Sequence, residues 1–284
     1  MDKELRTFTV PKWIHFIFKI LQFFSTKLAG QFVIESFVKV PKFPVHPKEI
    51  PSREQAHLST FIYEKRKLNV FTWSAQEEKK RILLVHGWAG RASQLGEIAL
   101  NLNKLGHTCV GLDMPGHGLS EGKKSSYIQF HKVLLAFADE QEQKFDALVA
   151  HSIGGVASML AITNGLKVDK FVSLGMPANS PLILASYLEG IEMNDDVKQY
   201  IFNHFTNYFK GGLNDFTAVE LVKEIDIPGL LIHDENDADV PIAQAYKVHK
   251  KWPKSQLKVT SGLGHKKILG DQAVIEAIKD FLCS

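Results

Sequence analysis

The sequence predicts an α/β fold, with a mostly parallel central sheet that is covered by helices on both faces. Short runs rich in Val, Ile and Leu, each of strand length, alternate with amphipathic segments of helical length. The chain has 284 residues, of which 45% are hydrophobic and 23% are charged. It is therefore long enough for one large domain with a sizeable core.

Charge and cysteine content exclude several classes of function. The net charge of +3 is too small to indicate nucleic-acid binding, and we predict no nucleic-acid partner. Cys109 lies in an apolar run and Cys283 lies near the end of the sequence, so we expect them to stay unpaired. No cysteine or histidine pair has zinc-site spacing, and we predict no metal. We expect a cytoplasmic location. The sequence does not predict an oligomeric state.

The N-terminal region is expected to form one amphipathic helix over about residues 14–28. Polar residues recur there at helical spacing in a narrow stripe, and the rest of the circumference is apolar and aromatic: Lys12, His15, Lys19, Gln22 and Thr26 form the stripe. Lys19 argues against a transmembrane span. The helix either docks on the protein's own surface or makes peripheral membrane contact through residues 11–29. A tight oligomer contact is a third alternative.

The next region contains four prolines within residues 41–51, so we expect no regular helix there but an extended linker or a segment that wraps around the domain. We therefore assign residues 1–52 to an N-terminal segment and residues 53–284 to the main domain. Strands are expected at 57–64, 68–74, 81–86, 107–112, 145–151, 169–174, 228–233 and 256–260. Helices are expected near 92–105, 125–141, 153–165, 241–250 and 269–282.

The most informative stretch reads Ala-His-Ser-Ile-Gly-Gly over residues 150–155, directly after the apolar run 147–149. A sharp strand-to-helix turn at this point would expose the hydroxyl of Ser152, as a serine nucleophile requires. The alternative interpretation is an ordinary helix N-cap, with glycines in the first helical turn.

Other stretches occur in a consistent order around this turn. They are His86-Gly87-Trp88 after an apolar run, Asp113-Met114-Pro115-Gly116-His117-Gly118, His233 to Pro241, and Gly262-Leu263-Gly264-His265. With these motifs the chain resembles the α/β-hydrolase superfamily, in its lipase/esterase and monoacylglycerol-lipase-like branch, over about residues 55–282. The order Ser…Asp…His is the one expected for that fold.

The resemblance implies a catalytic triad. Ser152 would be the nucleophile and His265 its base, and Asp237 would orient the imidazole. Asp234 and Asp239 compete with Asp237 for this role, and this chain has Asp234 where the family pattern has glycine. The resemblance also implies a cap insertion at about residues 176–226. Its aromatic residues would either line an apolar pocket or form the cap's own core.

An oxyanion hole is expected from two backbone N–H groups, those of Ile153 and Trp88. The Trp88 side chain would line the pocket or brace its loop, and Asp113 would bind backbone N–H groups. The other residues expected to line the site are His86, Gly87, His151 and Met176.

These expectations describe a serine hydrolase that cleaves a small or apolar carboxylic ester through an acyl-enzyme, with no cofactor. Its partner would be a small-molecule ester substrate. A thioesterase, an amidase or a carbon–carbon hydrolase on the same scaffold stays open. An alternative of another class is a non-catalytic binding module that keeps the fold.

Overall fold

The computed structural model describes residues 12–179, 181–209 and 216–284. Part of the expected N-terminal segment, residues 1–11, and part of the expected cap, residues 180 and 210–215, lie outside the described residues. Within the described chain, eight strands form one sheet: β1 His57–Tyr63, β2 Arg66–Trp73, β3 Lys80–Val85, β4 His107–Leu112, β5 Ala147–His151, β6 Lys170–Leu174, β7 Gly229–Asp234 and β8 Ser255–Thr260.

The strand order is β1-β2-β4-β3-β5-β6-β7-β8. The pairs β1–β2 and β2–β4 are antiparallel, and the other neighbouring pairs are parallel. The predicted mostly parallel sheet is thus confirmed, and each strand lies within about two residues of its expected position. Cys109 and Cys283 are both free, as predicted.

Helices cover both faces of the sheet because side chains of the central strands alternate between two apolar cores. On β3, Leu83 and Val85 point into one core and Ile82 and Leu84 into the other. The first core is closed by α5 Tyr127–Asp139, α6 Ile153–Thr163 and α10 Ala243–His249. The second is closed by α4 Gly96–Asn103 and α12 Gln272–Cys283, and the short helix α11 spans Gly264–Lys267.

The N-terminal region differs from the expected single helix. It forms two helices, α1 Lys12–Phe24 and α2 Thr26–Phe37. Ser25 separates them in an extended conformation, and its hydroxyl accepts a hydrogen bond from the Leu28 N–H at 3.3 Å. This N-cap favours the start of a second helix at that residue.

The proline-rich segment is not extended throughout, which corrects the expectation for residues 41–51. A 3₁₀ turn spans Pro47–Glu49 and a short helix, α3, spans Ile50–Glu54. Pro47 and Pro51 lie in the first turns of these helices, where a missing N–H is tolerated. The expected boundary at 52/53 therefore falls inside α3, and the Ser52 carbonyl accepts a hydrogen bond from the Trp73 indole at 2.7 Å.

Two helices follow β6 in the region expected to hold the cap, α7 Pro181–Glu189 and α8 Asp195–Phe209. A shorter helix, α9 Ala218–Leu221, and a 3₁₀ turn over Val222–Glu224 lead back to β7. The N-terminal helices pack against α7 and α8, and Phe18, Val33 and Ile201 are buried in the shared cluster. One face of α1 is therefore docked on the protein's own surface.

Three aromatic residues of α7 and α8 belong to this cluster. Tyr187, Tyr200 and Phe205 pack among the side chains of α1 and α2, and the ring of Phe37 lies 5.2 Å from that of Tyr187. From the sequence, these aromatic residues were expected to line a pocket or to form a core of their own. Neither alternative included packing against the N-terminal helices. Among the described helices, none is long and apolar enough to cross a bilayer.

Candidate active site

Ser152 lies in the turn between β5 and α6, with φ of 53° and ψ of −129°. A residue with a side chain rarely adopts this conformation, which indicates a turn held by its surroundings. A Cβ added to Gly154 would lie 2.4 Å from the carbonyl oxygen of His86, so only glycine fits there. The Ser152 side chain makes no capping hydrogen bond to α6, which is contrary to the N-cap interpretation.

The structure brings together the three side chains of the expected triad. The Ser152 hydroxyl lies 3.0 Å from Nε2 of His265, and Nδ1 of the same imidazole lies 2.7 Å from Oδ2 of Asp237. The three residues follow β5, β7 and β8, whose carboxyl ends meet at one edge of the sheet. With a proton on Nδ1, Nε2 is free to accept the serine proton.

Asp237 is held as a carboxylate by its partners. Its second oxygen accepts hydrogen bonds from the N–H groups of Asp239 at 2.9 Å and Val240 at 2.8 Å. Burial of this carboxyl opposes its ionisation. The hydrogen bond and charge of His265, together with the Val240 N–H, outweigh that effect and hold the pKa of Asp237 below its ordinary value.

The competing carboxylate of Asp234 has other partners. The oxygens of Asp234 accept hydrogen bonds from the backbone N–H groups of Leu263 and Gly264, at 3.1 and 2.9 Å, and from the Thr260 hydroxyl at 2.8 Å. Asp234 thus holds the loop that carries His265 and does not bond to the imidazole itself. The sequence showed only a departure from the family pattern at this position.

The loop after β3 passes directly over the serine turn. A Cβ added to Gly87 would lie 2.9 Å from the Ser152 Cβ, so glycine allows this close approach. Within the described chain, neither the Trp88 N–H nor the Ile153 N–H has a protein acceptor. The ring of Trp88 packs edge-on against that of His117, with 5.3 Å between the ring centroids. This contact fits the expected alternative in which the Trp88 side chain braces its loop.

His86 is a structural residue of this loop. Its Nδ1 lies 2.7 Å from the Gly87 carbonyl and its Nε2 accepts the Met114 N–H at 3.1 Å, which assigns the neutral tautomer with the proton on Nδ1. Burial, followed by the proximity of His117, lowers the pKa of His86 well below its ordinary value. His86 therefore orders the loop and is not the base.

His151 contacts the loop that carries His265. Its Nε2 lies 2.9 Å from the backbone carbonyl of His265, and the two rings lie 4.7 Å apart. Burial, and then the nearby imidazole of His265, lower the pKa of His151 to about 3. A neutral His151 thus positions the proposed base through its backbone.

Two residues after β6 complete the surroundings of the triad. Gly175 has φ of 59°, and a Cβ there would lie 3.1 Å from Nδ1 of His265 and 3.4 Å from Oδ2 of Asp237. Met176, expected to line the site, is buried, and its sulfur would lie 2.8 Å from a Cβ added to Gly155. No local motif marks Gly175, because its role depends on loops that approach from β7 and β8.

The expected role of Asp113 is confirmed. Its two oxygens accept hydrogen bonds from the N–H groups of Ala92 and Leu119, both at 2.8 Å, so it joins two loops.

Potential metal ligands also occur: among the described residues, Asp237, Asp239 and His265 have ligand atoms within 4.8 Å of one another. Because Asp237 and His265 are already bonded to each other, this proximity does not by itself point to a metal.

Two family models match the chain. The model described as serine aminopeptidase, S33, matches residues 76–185, and the model of TAP-like proteins matches residues 215–284. The first segment contains Ser152 and the second contains Asp237 and His265.

Curated relatives resemble parts of the chain. A serine hydrolase-like protein of Dictyostelium discoideum is 30% identical over 36% of this chain and 30% of its own length. A proline iminopeptidase of Xylella fastidiosa is 35% identical over 22% of this chain and 20% of its own length. The esterase YbfF of Escherichia coli is 32% identical over 38% of this chain and 44% of its own length. The chain thus aligns with less than half the length of each of these relatives.

Solved structures share the fold over most of the chain. A putative lipase of Acinetobacter baumannii has a TM-score of 0.64 at 16% identity, and the match covers 86% of this chain and 97% of that one. Est1E of Butyrivibrio proteoclasticus has a TM-score of 0.63 at 20% identity, with coverage of 79% and 98%. By its sheet, its motifs and these matches, the chain belongs to the α/β-hydrolase superfamily.

Proposed function

We propose that the protein is a serine hydrolase that cleaves carboxylic esters through an acyl-enzyme. The observation that carries the proposal is the hydrogen-bonded series from Asp237 through His265 to the Ser152 hydroxyl, at 2.7 and 3.0 Å. A serine hydroxyl is a weak nucleophile near neutral pH and needs an adjacent base of this kind. The strained turn at Ser152 supports the same role.

In the proposed reaction, the Ser152 oxygen attacks the ester carbonyl carbon while its proton passes to Nε2 of His265. The tetrahedral intermediate collapses as that proton moves to the leaving alcohol, and the acyl group stays on Ser152. Water then attacks the acyl-enzyme, with His265 as base, and releases the carboxylic acid. Asp237 keeps the imidazole in the required tautomer and stabilises its positive charge.

Two backbone donors would stabilise the oxyanion of each tetrahedral intermediate. The Trp88 and Ile153 N–H groups have no acceptor among the residues that the structure describes, and Gly87 brings the first of them close to the serine turn. A donor of this kind contributes about 3 kcal/mol to the transition state. The chemistry needs no metal or organic cofactor.

Ester substrates are favoured by the motif resemblance and by the similarity to an esterase and a putative lipase. The second candidate is an aminopeptidase-like amidase, which the serine aminopeptidase model and the similarity to a proline iminopeptidase support. The same three side chains serve either reaction, because the shape of the pocket decides which carbonyl group binds.

The experiment that tests the proposal compares wild type with Ser152→Ala on p-nitrophenyl esters of increasing acyl length and on prolyl and alanyl p-nitroanilides. We expect ester turnover by wild type, and a kcat lower by roughly 10⁴-fold or more in Ser152→Ala. A fluorophosphonate probe should label wild type at Ser152.

Ser261→Ala is the matched control, because Ser261 is exposed and bonds only weakly to Asn236, at 3.3 Å. It should keep wild-type activity. Undiminished activity in Ser152→Ala would reject the nucleophile. Faster Ser152-dependent turnover of the anilides would favour the amidase, and absence of both labelling and turnover would favour a non-catalytic binding module.

A further inference from the structure

The helix α1 has an apolar face that nothing in the described chain covers. Its exposed apolar positions, 13, 16, 20, 23 and 24, fall within a sector of about 100° on the helix. Leu28 in the first turn of α2 is also exposed. We call these six residues the outer face: Trp13, Phe16, Ile20, Phe23, Phe24 and Leu28.

The outer face is held outward by the docking of the opposite side of the helix. Ile14 and Phe18 are buried in the cluster that α1 shares with α2, α7 and α8, which fixes the rotation of α1 about its axis. Phe23 and Phe24 are 84% and 74% exposed, and Phe16 is 68% exposed. Three neighbouring phenyl rings with this much solvent exposure indicate an interaction surface.

The charged residues of α1 and of most of α2 are all basic. Residues 12–34 contain three lysines and no aspartate or glutamate. Lys19 pairs with Glu192 at 2.9 Å, and Lys12 and Lys27 are exposed. Aromatic and aliphatic side chains flanked by lysines match the boundary between acyl chains and anionic headgroups.

We propose that the outer face docks the protein on an anionic lipid surface, with α1 lying in the plane of the interface. The helix has 13 residues and is about 20 Å long, so it can lie flat with its apolar side chains among the acyl chains. The lysines would then reach the headgroups. This proposal goes beyond the proposed hydrolysis and does not depend on the chemistry at Ser152.

A second copy of the chain is a less favourable occupant than lipid. A two-fold contact places the same surface on both sides, so Lys12 and Lys27 of each copy would approach lysines of the other without acidic residues on the helix to offset them. An anionic membrane offers apolar contact and charge complementarity together.

The test is co-sedimentation of the full chain with vesicles of phosphatidylcholine alone or with about one third phosphatidylglycerol. Phe16→Gln/Phe23→Gln/Phe24→Gln removes the exposed rings, and we expect vesicle binding to fall roughly a hundredfold. Lys12→Gln/Lys27→Gln should lower binding to the anionic vesicles by roughly fivefold per lysine. Leu58→Thr/Ile62→Thr removes two exposed apolar side chains of the edge strand β1 and is the matched control.

The proposal requires that wild type and the β1 variant bind anionic vesicles equally, and that Ser152→Ala binds as wild type does. If the triple variant fails to fold, Phe23→Gln alone, at the most exposed of these rings, should still reduce binding. Equal binding by wild type and the phenylalanine variants would overturn the proposal. Failure of wild type to bind any of the vesicles would also overturn it. This holds whether wild type is a monomer or a dimer that the triple variant dissociates.

Discussion

Gly175 provides space for the proposed catalytic imidazole. Its φ of 59° is unfavourable for a side chain, and an added Cβ would lie 3.1 Å from Nδ1 of His265. The neighbouring turn at Ser152 also has a positive φ, at a residue that must carry a side chain. At the residue scale, the site therefore depends on where side chains are missing as much as on where they are present.

Gly175→Ala should lower kcat and also destabilise the fold. The added methyl group pushes the imidazole out of line, and the positive φ costs about 1 kcal/mol. We expect a loss of at least tenfold in kcat for ester hydrolysis, because a displaced base loses its alignment with the Ser152 hydroxyl.

Gly165→Ala separates the two effects. Gly165 has φ of 107°, and an added Cβ would have no heavy atom within 4 Å. The control should lose comparable stability in a thermal melt while it keeps wild-type kcat. Equal kcat values in the two variants would contradict the proposed contact at Gly175.

At the scale of elements, the loop that carries His265 is organised from a neighbouring strand. Asp234, at the end of β7, binds two backbone N–H groups of this loop and the hydroxyl of Thr260 at the end of β8. The loop glycines Gly262 and Gly264, with φ of 79° and 62°, allow the turn. The hydrogen bonds to the Asp234 carboxylate then stabilise one conformation of this loop.

Asp234→Ala should destabilise the protein by about 2 kcal/mol and lower kcat, because the loop loses its acceptors. Chemical unfolding and steady-state kinetics measure the two effects. The control is Asp226→Ala, which removes an almost fully exposed carboxylate that pairs with Lys254. It should change neither stability nor kcat beyond error, and a similar effect of both variants would refute the role of Asp234.

At the scale of the whole molecule, several buried histidines are kept neutral by the fold. Burial lowers the pKa of His117 to about 4 and that of His151 to about 3, from an ordinary value of 6.5. Below pH 6.5 the unfolded chain binds protons that the native protein does not. The stability that these residues provide is therefore present above that pH and is lost as the pH falls towards 4 and 3.

His117→Asn should weaken this pH dependence. Wild type loses about 2 kcal/mol through His117 between about pH 7.5 and pH 5, and the variant lacks this contribution. Urea unfolding at the two pH values gives the difference. A parallel loss of stability in wild type and variant would show that His117 is not the source.

Local features of the sequence predicted the sheet and the position of the serine turn. Strand and helix boundaries follow from hydrophobic periodicity, and Ala-His-Ser-Ile-Gly-Gly contains the small residues that its turn requires. The break at Ser25 and the helical turns at Pro47 and Pro51 were missed. Each depends on a single cap or on a proline in a first turn, which a broad periodicity conceals.

The fold class and the order of the serine, carboxylate and histidine motifs could be predicted from the chain alone, because neighbouring residues encode strand, turn and helix. Long-range packing establishes which carboxylate meets His265, which glycine makes room for it, and which face of α1 stays exposed. Residues 152 and 265 are 113 positions apart, and they meet only through the register of the parallel strands between them. Packing across that distance has no local sequence signal.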